Sequence, residues 1–459
     1  MQVTGSMSLP VTCSAMHSFA APARRPLRRL AARGILASLV TVGVVAGISD
    51  APLNAAPVAP PAMTTPNTDH CPQRATPPAP VDESEVVAPG STTPTPLPVH
   101  SPPVGGEKLG ACGVVADPSA GPVPGRLTSA AWLVADLDSG AVIAAKDPHG
   151  RYRPASTIKV LLALTALRAG LPLDKPVTAT PEDWSVEGDA CGMGPGGRYT
   201  MRDMMIGLLM VSGNDCAHVI ARELGGVETT LHKMNDLAHS LNADDTRATT
   251  PSGLDAAGMS TSPYDLALIF RAVMQNSTFR EIIAMPRHPF PGYPKRADVP
   301  GDVDHPGYLM QTSNQLLLDG DPGALGGKTG YTDDAQKTFV GAVKRDGRTV
   351  LIVQMYGLST ADDNYWDQAR SLVTYGARAP RDVKVGELAS PDDPASTGGG
   401  TRIEPNAGSD VTTAETSAQH RATQQDSASP WSVRILVGLV GLLVALLLLL
   451  VALRLFRRR

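Results

Sequence analysis

Residues 433–453 run almost continuously through Leu, Val, Gly and Ala. That length is enough to cross about 30 Å of hydrocarbon. The run shows no polar residues at a 3.6 period, so it does not read as a buried amphipathic helix. A single transmembrane helix is therefore expected over residues 431–454. Arg454, Arg457, Arg458 and Arg459 follow it, and by the positive-inside rule the tail 455–459 stays in the cytoplasm. At the other end, Arg24, Arg25, Arg28, Arg29 and Arg33 precede an apolar run over 34–48, with small residues at Ser49, Ala51, Ala55 and Ala56. The run is short for a membrane span and reads as a cleavable export signal over residues 1–51. What lies between the two segments is expected on the extracytoplasmic side of the cell membrane.

Pro 41 and Gly 44 are high for 459 residues and concentrate away from the middle of the chain. Residues 52–108, rich in Pro, Ala, Thr and Val without apolar periodicity, read as a linker. Residues 381–430, rich in Gly, Ser, Thr and Ala, read as a tether to the membrane helix. A folded domain is left over 109–380. The formal charge of -4 offers no electrostatic reason to expect nucleic acid as a partner. Cys13 falls in or before the signal, leaving Cys71, Cys112, Cys191 and Cys216 for an oxidising compartment. Four cysteines allow three pairings. Cys71 with Cys112 and Cys191 with Cys216 is favoured, since the second pair brackets one short segment and the first would pin the linker to the domain. No spacing suggests zinc, no His-Glu-x-x-His occurs, and no metal or cofactor is expected.

Within the domain, strands are expected over 130–136 and 141–145 around Asp138-Ser139-Gly140, and over 338–344 and 349–355 around Asp346-Gly347. Helices are expected over 157–169 with Gly170 as C-cap, 201–209, 215–224 and 365–377. Strands at both ends with helices between predict an α+β domain, an antiparallel sheet completed by the chain ends with a helical cluster inserted.

Ser156 stands one turn before Lys159 at the entry to the first of these helices. A serine hydroxyl needs a base within hydrogen-bond reach to act as a nucleophile. Residues three apart on a helix are neighbours. The helix N-terminus favours developing negative charge, and Lys159 becomes a base if burial or a second cation such as Lys328 lowers its pKa. Ser212-Gly213-Asn214, in a turn between helices, offers a hydroxyl and an amide to relay a proton and orient a peptide. Lys328-Thr329-Gly330, after Gly326-Gly327, reads as a strand where glycines let a substrate backbone lie close and a lysine and threonine hold a carboxylate. Ser240-Leu241-Asn242 matches the middle pattern equally well and reads as an ordinary helix end. His218, His232 and His239 read as helix packing or surface positions.

In the order Ser-x-x-Lys, Ser-x-Asn, Lys-Thr-Gly, the three elements are the signature of penicillin-binding proteins and serine β-lactamases. Arg153 to Lys159, Val211 to Asp215, Pro251-Ser252-Gly253-Leu254-Asp255, Met259-Ser260-Thr261 and Gly327 to Thr332 resemble low-molecular-weight D-alanyl-D-alanine carboxypeptidases, over about residues 125–380. The resemblance implies a DD-peptidase/β-lactamase-like fold, a five-stranded antiparallel sheet flanked by helices plus an all-helical subdomain. It implies Ser156 as nucleophile and Lys159 as its base, and Ser212 and Asn214 assisting the leaving D-alanine and holding the substrate amide. Lys328 and Thr329 would bind the terminal carboxylate, and the backbone N–H groups of Ser156 and Tyr331, next to Gly330, would form an oxyanion hole. Peptidoglycan stem peptides are the implied substrate and β-lactams the implied acylating inhibitors.

Two departures stand out. A low-complexity tether replaces the β-rich second domain of the best-known members. No persuasive Glu-x-x-x-Asn lies between Asn214 and Lys328, so slow deacylation of β-lactams is expected. A DD-endopeptidase or β-lactamase on the same scaffold, or an inert wall-binding homologue, are the alternatives; the intact Ser156, Lys159, Ser212, Asn214 and Lys328 argue against the last.

Overall fold

The structure, a computed structural model, describes residues 66–358 and 365–390. The apolar runs 34–48 and 433–453 lie outside the described residues, as do most of the expected tether and the first part of the linker. Among the described residues no helix is long and apolar enough to cross a membrane.

In chain order the strands are β1 (Val114–Ala116), β2 (Ala131–Asp136), β3 (Ala141–Lys146), β4 (Pro176–Val177), β5 (Tyr199–Thr200), β6 (Arg287–Phe290), β7 (Tyr308–Gln311), β8 (Ala324–Thr332), β9 (Gln336–Arg345), β10 (Arg348–Gly357) and β11 (Gly386–Glu387). The helices are α1 (Lys159–Arg168), α2 (Pro181–Trp184), α3 (Met201–Met210), α4 (Asn214–Glu223), α5 (Val227–Ser240), α6 (Pro263–Val273), α7 (Ser277–Ile283), α8 (Gln315–Leu318) and α9 (Tyr365–Arg378).

The main sheet is antiparallel in the order β1-β3-β2-β10-β9-β8, with β11 also on β3. The expected five strands form its body, and the difference is two short edge strands. β1 pairs with one end of β3 and β11 with the other. Side chains alternate across a strand, and both faces of this sheet are covered, so β2 is buried at every position. Leu133, Ala135, Leu351 and Val353 face a core shared with α1, α3, α4 and α6. Trp132, Val134, Val350 and Ile352 face a second core closed by Leu372 and Val373 of α9. Helix α9 can sit so close because a Cβ on Gly376 would come 2.6 Å from Val134.

Residues 66–108 are part of the stretch read as a linker, pinned to the domain by Cys71 as expected. They form almost no regular structure, yet they are packed on the domain as a strap. Cys71 is bonded to Cys112, and the strap's carbonyls accept hydrogen bonds from buried arginines. Proline-rich composition hid this, because it removes backbone donors and secondary structure without preventing a chain from being an acceptor surface. The domain likewise runs past residue 380, since β11 lies in the stretch read as tether.

Candidate active site

Ser156 is carried by a 3-10 turn, Ala155–Ile158, that leads directly into α1. In a 3-10 helix residues three apart eclipse, which brings Lys159 Nζ to 2.7 Å from Ser156 Oγ. Lys159 is fully buried. Its Nζ also donates to Asn214 Oδ1 at 2.8 Å and the Ser252 carbonyl at 2.6 Å. Burial first, and the nearby Lys328 charge second, push the Lys159 pKa far down, against a weaker opposing pull from Asp189 and Asp215. A neutral amine that close to a hydroxyl can accept its proton.

Asn214 opens α4 and is locked by the preceding loop, donating from Nδ2 to the Glu187 carbonyl at 2.7 Å and from its backbone N–H to the Asp189 carbonyl at 2.6 Å. That loop is tied to α4 by the Cys191–Cys216 disulfide. The buried Asp215 carboxylate accepts from the backbone N–H groups of Cys191 and Gly192. Ser212 sits in the turn between α3 and α4 with φ 65, a left-handed conformation uncommon for a non-glycine residue. Its buried Oγ has no hydrogen-bond partner among the described residues. A buried hydroxyl without a partner costs free energy, and a bound substrate amine or carboxylate would satisfy it.

Lys328, 1% exposed, lies in β8 and donates to the Thr329 carbonyl at 2.6 Å. Burial lowers its pKa to about 7, with Asp189 pulling the other way. Two ammonium groups in one buried site resist being charged together, and the Lys328 charge is one cause of the lowered Lys159 pKa. Thr329 Oγ1 lies 3.3 Å from Ser313 Oγ. Tyr331 is 58% exposed and its hydroxyl donates to Asp333.

Two glycines of this strand make room for the protein's own backbone. A Cβ on Gly326 would stand 2.3 Å from the Ile283 carbonyl oxygen, and one on Gly330 would stand 2.8 Å from the Ser156 nitrogen. Gly330 thus seats β8 against the Ser156 N–H.

Several residues that hold the site escaped the sequence reading as individuals. Ala155 has φ 46, a strained setting for the residue before Ser156. Gly253 has φ +88, and a Cβ there would fall 1.9 Å from the Ala155 carbonyl oxygen. Thr338 of β9 donates to the Pro154 carbonyl at 2.9 Å. In Pro251 to Asp255 the contacts to the site come from the Ser252 carbonyl and from the missing side chain of Gly253. His218 pairs with Asp183 at 2.7 Å beside α2, outside the site. His232 and His239 line a separate cavity of about 630 Å³ against the strap. Asn242 ends α5 with φ 60, an ordinary helix C-cap conformation.

A family model for D-alanyl-D-alanine carboxypeptidase matches residues 118–358. The chain is 46% identical over 260 residues to D-alanyl-D-alanine carboxypeptidase DacB2 of Mycobacterium tuberculosis, covering 56% of this chain and 85% of the relative. A crystal structure of a D-alanyl-D-alanine carboxypeptidase from Mycobacterium tuberculosis H37Rv is 43% identical, with a TM-score of 0.55 over 60% of this chain and 99% of that one. The Streptomyces K15 DD-transpeptidase, 24% identical, has a TM-score of 0.50 over 56% of this chain and 98% of its own, a likeness of fold.

Proposed function

Because the chain belongs to the D-alanyl-D-alanine carboxypeptidase family of serine peptidases, we propose that Ser156 attacks the carbonyl joining the two terminal D-alanines of a peptidoglycan stem peptide. The observation that carries this is the 2.7 Å approach of a fully buried lysine nitrogen to Ser156 Oγ. Neutral Lys159 takes the hydroxyl proton as the C–O bond forms. The resulting oxyanion lies at the backbone N–H groups of Ser156 and Tyr331. As the C–N bond breaks, the departing D-alanine nitrogen receives the proton from Lys159 through the Ser212 hydroxyl. Asn214 holds the substrate amide, and Lys328 with Thr329 binds the terminal carboxylate, which accounts for a cation kept in a buried strand. Water then adds to the ester carbonyl, gives one proton to Lys159, and Ser156 leaves and is reprotonated.

A β-lactam would acylate Ser156 by the same steps. Labelling with a fluorescent penicillin followed by mass mapping should place the adduct on Ser156, and purified protein should release free D-alanine from a stem pentapeptide. An adduct elsewhere, or none, refutes the assignment.

The domain acts outside the cytoplasmic membrane, exported by residues 1–51 and anchored by 431–454. Two disulfides fit an oxidising compartment. Truncation after residue 430 should release penicillin-labelled protein from the membrane fraction; retention would refute the anchor.

A further inference from the structure

We propose that the strap over residues 75–98 is part of the catalytic apparatus, with Glu85 as a positioning residue that holds the nucleophile segment through Arg153. The proposal rests on Ser156 being the nucleophile and goes beyond it, because the strap precedes the residues 118–358 that the family model matches.

Arg151 and Arg153 immediately precede Ser156, and side chains two apart on an extended segment point the same way. Both point toward the strap. Each side chain is 1% exposed. Arg151 donates to the Ala75 carbonyl at 2.9 Å, the Pro98 carbonyl at 2.6 Å and the Leu97 carbonyl, and also to Asp245. Arg153 donates to the Pro78 carbonyl at 2.7 Å and from Nε to the Glu85 carboxylate. Asp334, at the tip between β8 and β9, closes the arrangement. It accepts from the Val81 N–H and from Ser84 Oγ at 3.1 Å, and lies 3.8 Å from Arg153 Nε.

A buried guanidinium needs acceptors, and leaving it without its counter-charge is costly. The strap supplies them for both arginines. The segment it holds is the one that most needs holding. Ala155 sits at φ 46, a conformation that persists only where the surroundings over-determine it. Thr338 fixes the Pro154 carbonyl and Gly253 receives the Ala155 carbonyl. Glu85, acting on Arg153, is the third constraint, and the Cys71–Cys112 bond ties the strap's start to the domain. With Glu85 neutralised, Arg153 loses its nearest counter-charge and is drawn toward Asp334, 3.8 Å away, and the shift passes through Pro154 and Ala155 to Ser156.

The test uses the full chain and a fluorescent penicillin, with acylation resolved into a limiting rate and a half-saturating concentration. Only label mapped to Ser156 counts, so its loss in the wild type refutes the nucleophile assignment, whereas the strap is judged on the variants. Glu85→Gln should remain folded by near-UV circular dichroism, with its limiting acylation rate down about 10- to 100-fold, the loss that a misplacement near 1 Å produces, and its half-saturating concentration little changed. Glu85→Asp should recover part of the rate. Glu107→Gln, the same charge change on an exposed residue outside the strap's residues 75–98, should leave both parameters as they are. If Glu85→Gln does not fold, Asp334→Asn, which removes the strap's anchor on the β8–β9 tip, is measured in its place. Wild-type acylation by a folded variant overturns the proposal. So does a loss that only tracks the unfolded fraction, or failure of both variants to fold, since the strap then serves stability alone.

Discussion

Lys328→Met should make this domain more stable, and by an amount that shrinks as the pH rises. Lys328 is buried in β8 with its pKa lowered from 10.5 to about 7, chiefly by burial. At about 1.4 kcal/mol per pKa unit, the folded state disfavours the charged form by about 5 kcal/mol. Below pH 7 the lysine is protonated folded and unfolded, so the full penalty applies. Between pH 7 and 10.5 the unfolded chain keeps the proton and the folded one releases it, so the penalty falls, and above 10.5 it is gone. Methionine matches the stem in length but loses the hydrogen bond to the Thr329 carbonyl, which takes back about 1 kcal/mol. The expected net gain is about 3–4 kcal/mol at pH 6, falling to near zero or below at pH 10, read from urea unfolding followed by circular dichroism. A second readout is independent of stability. The Lys328 charge is the second cause of the low Lys159 pKa, so its removal should move the acid limb of Ser156 acylation to higher pH. A stability gain equal at pH 6 and pH 10 would refute the reasoning, because packing alone would then account for it.

Gly253→Ala should cost about 2–4 kcal/mol of stability and lower acylation at the same time, since the new Cβ meets the Ala155 carbonyl; thermal unfolding and penicillin labelling check both. Replacing Cys191 and Cys216 together by serine should cost about 3 kcal/mol from the released loop, whose ends are 25 residues apart, and should slow acylation by loosening the loop that holds Asn214. Undiminished acylation would disconnect that loop from the chemistry. Asp255 has its pKa raised to about 6, mainly by burial, so its charge costs stability above that pH and costs nothing below about pH 4. Asp255→Asn should therefore be more stable than wild type by about 1 kcal/mol at pH 7.5, after discounting for partial exposure, with the difference vanishing toward pH 4.

The residues legible in the sequence were those whose side chains act by type and spacing. Ser156, Lys159, Ser212, Asn214 and Lys328 each had a chemical reason to stand where they do, and the structure gathers Ser156, Lys159 and Asn214 within hydrogen-bond reach. The hairpins β2–β3 and β9–β10 were legible from their apolar runs and turn residues. Helix α6 was missed although Ser262-Pro263-Tyr264-Asp265 is a readable start, with Ser262 accepting from the Asp265 N–H and proline at the first turn. The strap was missed for a physical reason. Composition reports whether a segment can build its own structure; whether it can lend carbonyls to buried cations elsewhere depends on Arg151 and Arg153, which sit about 75 positions away from their acceptors.

The same distinction explains why the site depends on residues with little chemistry of their own. Its lysines keep a lowered proton affinity only while both stay buried, and burial depends on how closely β8, the 3-10 turn and the Gly253 turn approach. Those approaches are set by atoms that are absent, at Gly253 and Gly330, and by backbone carbonyls, at Pro154, Glu187, Asp189 and Ser252. A mutation there removes no functional group, yet it admits water or shifts the turn, raises the Lys159 pKa toward its ordinary value, and so removes the base. Loss of acylation with Ser156 and Lys159 both intact is therefore the expected mark of damage to this frame, and it should be partly reversed by raising the pH, which deprotonates Lys159 whatever its surroundings. A nucleophile displaced beyond reach of its base would show no such recovery, so the pH response separates the two kinds of failure.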